Sequence, residues 1–339
     1  MRPLSGIPIM FNCPMRQRPS RFLALLLGLG LVAQCAAQDP VPATRDGAPT
    51  VRFLTEDINA IDYWPCFSPD GKNVLFSRSL DNGKIWSLYV IATAGGTPHR
   101  LEGDGMPISA TRANWSAEKN LIAFTGESND RQASVWLVNA DGTNAHPLHV
   151  DGLSGQVFYP SWYPDGTSLA VMDAHDQMLK RVDLQHGSAT ALTSTMQVLT
   201  GMPAVSPDGK QIAFAGQRNI GRPYDQSKNQ IWLLEDHGQL HALEESPAQG
   251  RAPSWSPDGA WLAFESNRGG TDTLYAAFIV KRDGTGLRRV SDYELGANHP
   301  VWSPDGQSLV VAARFLKGSA RTGIAIVHLT AVDKSGTGK

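Results

Sequence analysis

One short sequence phrase recurs along the chain and fixes its architecture. The phrases are Pro65-Cys-Phe-Ser-Pro-Asp-Gly71, Ala113-Asn-Trp-Ser-Ala-Glu-Lys119, Pro160-Ser-Trp-Tyr-Pro-Asp-Gly166, Pro203-Ala-Val-Ser-Pro-Asp-Gly209, Pro253-Ser-Trp-Ser-Pro-Asp-Gly259 and Pro300-Val-Trp-Ser-Pro-Asp-Gly306. Their shared fourth position falls at Ser68, Ser116, Tyr163, Ser206, Ser256 and Ser303, with spacings of 48, 47, 43, 50 and 47 residues. A period in the forties with several short strands per unit is the mark of a β-propeller. The expected fold is all-β, a six-bladed β-propeller of four-stranded antiparallel blades.

The unit from 250 to 291 shows why. Pro253–Ser256 reads as a first strand, with proline where no ladder donor is lost. Ser-Pro-Asp-Gly259 is a hairpin turn: proline presets φ, Asp bonds its own backbone, and Gly takes the left-handed conformation. Ala260–Phe264, Leu274–Val280 and Leu287–Ser291 supply three more apolar strands. Four antiparallel strands make a blade. Seven of the nine tryptophans fall at two repeated positions, Trp115, Trp162, Trp255 and Trp302, and Trp86, Trp136 and Trp232. Such recurrence points to packing between blades.

The sixth unit runs out of sequence after Leu329 and lacks a fourth strand. Val51-Arg-Phe-Leu-Thr55 matches the fourth-strand pattern Leu287-Arg-Arg-Val-Ser291 and sits at the same distance before its proline. The N-terminal strand is therefore expected to close the ring, which removes the open sheet edge. The domain reading is 1–37 as a secretory signal, 38–50 as a linker, 51–330 as the propeller and 331–339 as a polar tail.

The signal reading rests on Arg16, Arg18 and Arg21, the short apolar run Phe22–Val32 and the small residues Cys35-Ala-Ala37 before Gln38. Met15 is an alternative start. Lipidation at Cys35 competes with simple cleavage, but Gln34 is a poor neighbour for it. Export to a periplasmic or extracellular space is expected, without a transmembrane segment in the mature chain. Cys66 is then the one cysteine beyond the signal, a buried thiol within a strand. The net charge is −2, and the first 37 residues hold four arginines and no acid. The remainder is thus acidic, and nucleic acid is excluded as an expected partner.

The line Pro-x-Trp-Ser-Pro-Asp-Gly-x-x-Leu-Ala-Phe, followed by Ser-Asn-Arg-Gly-Gly and Asp-Gly-Thr-Gly-Leu-Arg-Arg-Val-Ser, resembles the repeats of TolB-like propellers over residues 51–329, best in Pro253–Ser291. The resemblance implies a periplasmic propeller that binds a protein partner in the cell envelope. TolB itself carries an α/β domain before its propeller. Here only the linker stands between the signal and the first strand, so a stand-alone propeller is expected. Similar blades occur in prolyl oligopeptidases and oligogalacturonate lyase.

Loops at one face of a propeller ring the mouth of its central channel, the default binding site. The residues read as just preceding the first strand of each blade are Trp64, Arg112, Tyr159, Met202, Arg251 and His299. They differ from blade to blade although the positions after them repeat, which suits a specific recognition surface. Their aromatic and guanidinium groups suit an acidic or amide-bearing peptide. A long loop, Ala215–Asn229, adds Arg218, Arg222 and Tyr224 as contact residues. The loop Arg314–Arg321 adds Phe315, read as exposed.

The sequence carries no Gly-x-Ser-x-Gly elbow, no His-Glu-x-x-His helix and no phosphate loop. His99, His146, His149, His186, His237 and His241 fall toward the face away from the mouth. His175 and His299 are too few for a three-histidine site. Asp62, Asp173 and Asp176 are placed to hold a cation, though nothing in their spacing demands it. The expectation is a non-catalytic, monomeric binding propeller without cofactor or metal. The alternative is a carbohydrate-active or metal-dependent enzyme of the oligogalacturonate-lyase kind.

Overall fold

The structure, a computed structural model, describes residues 49–194, 196–197, 201–218, 225–243, 249–270 and 274–330. Six β-sheets follow one another along the chain, and each is antiparallel. Blade one is Ile61–Phe67, Asn73–Ser79, Ser87–Ala92 and His99–Arg100. Blade two is Ser109–Trp115, Leu121–Glu127, Ala133–Asn139 and His146–Pro147. Blade three is Val157–Trp162, Ser168–Asp173, Met178–Asp183 and Ser188–Ala191. In blade four the first strand is split: Met196–Gln197 and Ala204–Val205 both pair with Gln211–Arg218. Gln230–Glu235 and Leu240–Ala242 complete it.

Blade five is Gly250–Trp255, Trp261–Ser266, Ala276–Lys281 and Arg288–Arg289. Blade six takes Asn298–Trp302, Ser308–Arg314 and Thr322–His328 from the end of the chain and its fourth strand, Thr50–Phe53, from the beginning. The closing register runs from Thr50 opposite His328 to Phe53 opposite Ala325. The ring closes through the N-terminal strand, as the repeat pattern required. No helix among the described residues is long and apolar enough to cross a membrane.

The core is divided among the blade interfaces. Leu75 and Leu88 meet Phe124 and Trp136 between blades one and two, and Phe76 meets Val310 and Ile324 across the closure. The repeat dictates this. The eighth residue after Ser68, Ser116, Ser206 and Ser256 is Phe76, Phe124, Phe214 and Phe264, and all four are fully buried. Each buried phenylalanine contributes about 1.5–3 kcal/mol of transfer free energy. Trp86, Trp136, Trp232, Trp255 and Trp302 are buried as well.

The Ser-Pro-Asp-Gly turns are tied internally. Ser68 Oγ donates to Asp70 Oδ1 at 2.6 Å, and the same bond recurs at Ser206–Asp208, Ser256–Asp258 and Ser303–Asp305. Hydrogen bonding from Ser206, aided by Lys210 and Arg282, pulls the Asp208 carboxyl down to about 2. Successive turns also touch. A Cβ on Gly209, at φ +70°, would meet Pro164 of the preceding blade at 3.2 Å. The turn acids are therefore structural, and the turns form an interlocked ring. Cys66 is buried, and burial pushes its thiol up to about 12.

Candidate functional site

The first strand of a blade is not straight. Its pairing with the second strand slips in five blades, at Tyr63/Cys66, Thr111/Asn114, Phe158/Ser161, Arg251/Ser254 and Asn298/Val301. Within each slip stands a non-glycine residue in the left-handed region: Trp64 (φ 51°), Arg112 (53°), Tyr159 (57°), Ala252 (49°) and His299 (52°). Met202 (42°) holds the same position in blade four. A β-bulge re-aims a side chain, and the proline that follows in five blades loses no ladder donor there. Such residues cost roughly 1–3 kcal/mol each in backbone strain.

All six side chains line one cavity of about 440 Å³ in the central channel. Its walls rise past the following prolines and Trp115, Trp162 and Trp255 to the exposed turn residues Glu118, Pro164 and Pro207. The six residues thus form a waist inside the strands, and the cavity extends from there toward the Ser-Pro-Asp-Gly turns. The sequence expectation put these residues ahead of the first strands, at the channel mouth; in five blades they lie within the first strand instead. The first strands begin upstream of the proline position, at Ile61, Ser109, Val157, Gly250 and Asn298, so the residue before it lies inside the strand.

A second correction concerns blade five. The repeat-equivalent residue is Ala252, and Arg251 stands one position earlier. Arg251 pairs instead with Glu265, Nη2 to Oε1 at 2.7 Å, and lies 4.2 Å from the Tyr275 ring centroid. Glu265 is fully buried. It also accepts the His299 backbone N–H at 2.6 Å. Burial alone would raise the Glu265 carboxyl, but Arg251 and His299 outweigh it and hold it below its ordinary range. Glu265 was missed by sequence reasoning. Its signal was present, a lone acid inside the apolar strand Trp261–Ser266.

At the waist, Arg112 lies over two rings, with Cζ 4.3 Å from the Trp64 centroid and 4.5 Å from that of Tyr159. No carboxylate among the described residues lies within ion-pair distance of it, and its buried Nε has no hydrogen-bond partner. Burial lowers its affinity for the proton. The Trp64 indole Nε1 is buried without a partner too. His299 packs edge-on against Tyr63 and Trp64 at 5.1 and 6.0 Å. Burial, reinforced by Arg112 and Arg251 and opposed by Glu265, takes its imidazole down to about 4. It is neutral at pH 7.

Other sequence candidates stand apart. Arg218 is exposed and lies 5.0 Å from the Trp232 centroid. Arg222 and Tyr224 lie outside the described residues, as do the proposed signal, nearly all of the linker and the tail. Phe315, expected at the surface, is 4 % exposed and packs edge-on against Phe53 of the closing strand at 6.3 Å. It is a closure contact. Asp62 is held by Arg78, with N···O distances of 2.7 Å, and Asp173 by Lys180 at 2.9 Å. Asp176 pairs with Lys180 and with His175. These acids form ion pairs within the protein, and among the described residues no group of three His, Cys, Asp or Glu is placed to share a metal.

Six antiparallel blades, a strand-closed ring and a cavity along the axis define a closed β-propeller. The TolB beta propeller domain family matches residues 50–223 and 195–335, and the chain belongs to that family. An uncharacterized protein of Agrobacterium fabrum is 31 % identical over 263 residues, covering 74 % of this chain and 84 % of that one. Two relatives are larger. This chain's match spans 18 % of an uncharacterized peptidase of Bacillus subtilis (30 % identity, 35 % of this chain) and 48 % of dipeptidyl-peptidase 5 of Porphyromonas gingivalis (24 % identity, 82 % of this chain). Among solved structures, a putative TolB from Agrobacterium tumefaciens superposes with a TM-score of 0.61 at 19 % identity, covering 83 % of this chain and 94 % of that one. An oligogalacturonate lyase from Vibrio parahaemolyticus gives 0.53 at 14 % identity, covering 88 % and 100 %. At these identities the likeness is one of fold.

Proposed function

We propose that this protein is an exported, non-catalytic binding propeller of the cell envelope, and that it takes a protein or peptide partner in its central channel. The observation that carries the reading is the waist. One backbone conformation repeats in all six blades, yet it presents six different side chains to one cavity. Strain of this kind concentrates at functional sites. The cavity has the size and the mixed apolar and polar lining of a ligand site. Of the histidines, His299 alone lines it, which supports binding over a histidine-built metal site. The larger peptidase relatives and the lyase-like fold show that such blades also serve enzymes, and catalysis is the competing outcome of the test.

The test pairs binding with turnover. The purified propeller is screened against a displayed random-peptide library. Selected peptides are then measured against Trp64→Ala and Met202→Ala, with Arg100→Glu on the outer rim as control. Loss of about 1–4 kcal/mol of affinity in the waist variants, with the control unchanged, is expected. Undiminished binding in both waist variants overturns the site. Turnover of dipeptide amides or pectic oligomers overturns the non-catalytic reading.

A further inference from the structure

The waist is asymmetric in charge. Two guanidinium groups and one carboxylate lie in the cluster behind and around it. The carboxylate, Glu265, is engaged by Arg251 at 2.7 Å. Arg112 is left without an acid. An uncompensated charge away from water is costly, and proteins pair such groups or assign them a ligand.

The stacking of Arg112 explains what it can take. The rings of Trp64 and Tyr159 cover the flanks of the guanidinium at 4.3 and 4.5 Å. Rings against its faces leave the in-plane N–H edge for an acceptor. That edge matches a carboxylate, which accepts two parallel N–H···O bonds. Trp64 lines the same cavity, and its Nε1–H has no hydrogen-bond partner.

The shape of the cavity says how a ligand enters. Its lining begins at the waist and includes turn residues of blades two, three and four. A cavity reached from the turn face and narrowing to the waist accommodates the end of a chain. The Arg112 charge at the waist repels an amino terminus and attracts a carboxyl terminus.

The walls distinguish a peptide from a sugar acid. Above the waist they are largely proline, alanine, valine and tryptophan, with Asn114, Ser161, Ser206 and Ser254 among them and Glu118 at the turn face. Several of the polar groups among them are already engaged: Asn114 Nδ2 with Pro160 O at 2.7 Å, Ser161 Oγ with Val205 N at 3.1 Å, and Ser254 Oγ with Trp302 N at 3.3 Å. A ligand rich in hydroxyls would find one acceptor position on Ser161 and on Ser254 already taken. Apolar side chains would find flat surfaces.

We infer that the channel waist is a carboxylate site, in which Arg112, clamped by Trp64 and Tyr159, receives the C-terminal carboxylate of a peptide entering from the Ser-Pro-Asp-Gly face. This rests on the reading that the channel is a binding site, and it adds the chemistry and the direction of entry.

The experiment uses two matched probes, a pool of N-acetylated tripeptides with free carboxylates and the same pool as C-terminal amides. Binding is followed by equilibrium dialysis with mass spectrometry. The proteins are wild type, Arg112→Gln and Arg112→Lys, each checked for an unchanged melting temperature. Free acids should be retained and amides weakened by about thirty-fold, the scale of one anchoring contact. Arg112→Gln should lose the acids to the same degree, and Arg112→Lys should recover part of the binding. Equal retention of acids and amides overturns the carboxylate site while leaving the channel reading intact. Retention of neither pool overturns both. If galacturonate oligomers bind through Arg112 while the peptide acids do not, the peptide commitment fails.

Discussion

The Thr55 hydroxyl donates to Asp62 Oδ2 at 2.6 Å, so the two ends of the ring are fastened by side chains as well as by strand pairing. Thr55 follows the closing strand of blade six, and Asp62 is the second residue of the first strand of blade one. Thr55 Oγ1 also accepts the Ile324 N–H at 2.8 Å, and Thr322 Oγ1 donates to the Asp62 carbonyl at 2.6 Å. Arg78 completes the knot with two bonds of 2.7 Å to Asp62.

This knot carries the first prediction. Asp62→Ala should lower stability by about 3–5 kcal/mol, because it strands the nearly buried Arg78 guanidinium. Asp57, 3.8 Å away and half-exposed, compensates poorly. Thr55→Val should cost about 1–3 kcal/mol by leaving polar groups unsatisfied. Urea denaturation of the two variants beside wild type measures both. A smaller loss in Asp62→Ala than in Thr55→Val would contradict the assignment.

The repeat made the six blades and the closing strand legible, because the strands alternate in a period-two pattern between strong turn signals. The waist was only half legible. Its residues were identified except for a one-position slip at Arg251, where the true equivalent, Ala252, carries no chemistry that draws notice. Their depth in the channel was not readable. Left-handed φ at Trp64 or Tyr159 has no signature in the sequence, since the residues that signal it are glycine and asparagine. Phe315 was misread for another reason. Its partner, Phe53, lies at the far end of the chain, and a loop residue flanked by basic residues looks exposed until the ring is closed.

His299 makes stability depend on pH. Its folded value, about 4, lies below the ordinary histidine value of 6.5. Between those values the unfolded chain takes a proton that the folded protein refuses. Stability is therefore full above about pH 6.5 and falls as the pH drops toward 4, by up to about 3 kcal/mol. His299→Gln should flatten the curve of urea midpoint against pH between 6.5 and 4.5. An identical slope in wild type and variant would remove His299 as the cause.

Arg112 should be dispensable for folding. Replacing a half-buried cation that has no carboxylate partner by an apolar chain of similar length removes a desolvation cost. Against this stand two cation–π contacts of about 0.5–2 kcal/mol each. Arg112→Met should therefore leave the urea midpoint level or raise it, while Arg78→Met, which breaks a buried pair, should lower it. A loss of more than about 2 kcal/mol in Arg112→Met would mean that the guanidinium has a structural partner.

Glu265 is the opposite case and gives the most discriminating prediction. It is fully buried and faces Arg251 at 2.7 Å, whose side chain is 18 % exposed, and it accepts the His299 N–H at 2.6 Å. Glu265→Gln keeps the shape and removes the charge. Arg251 then has no counter-ion, and the expected loss is about 3–5 kcal/mol, as for a buried pair broken on one side. Arg251→Met alone leaves an uncompensated carboxylate and should cost a similar amount. The double variant removes both charges and should recover most of the loss, so the cycle should show a large favourable coupling. A second readout is independent of stability. Glu265 is the one group in the cluster that favours His299 protonation. In Glu265→Gln the imidazole should therefore titrate at still lower pH, followed by NMR of its ring protons. An additive double variant together with an unshifted His299 titration would show that Glu265 does not hold this cluster together.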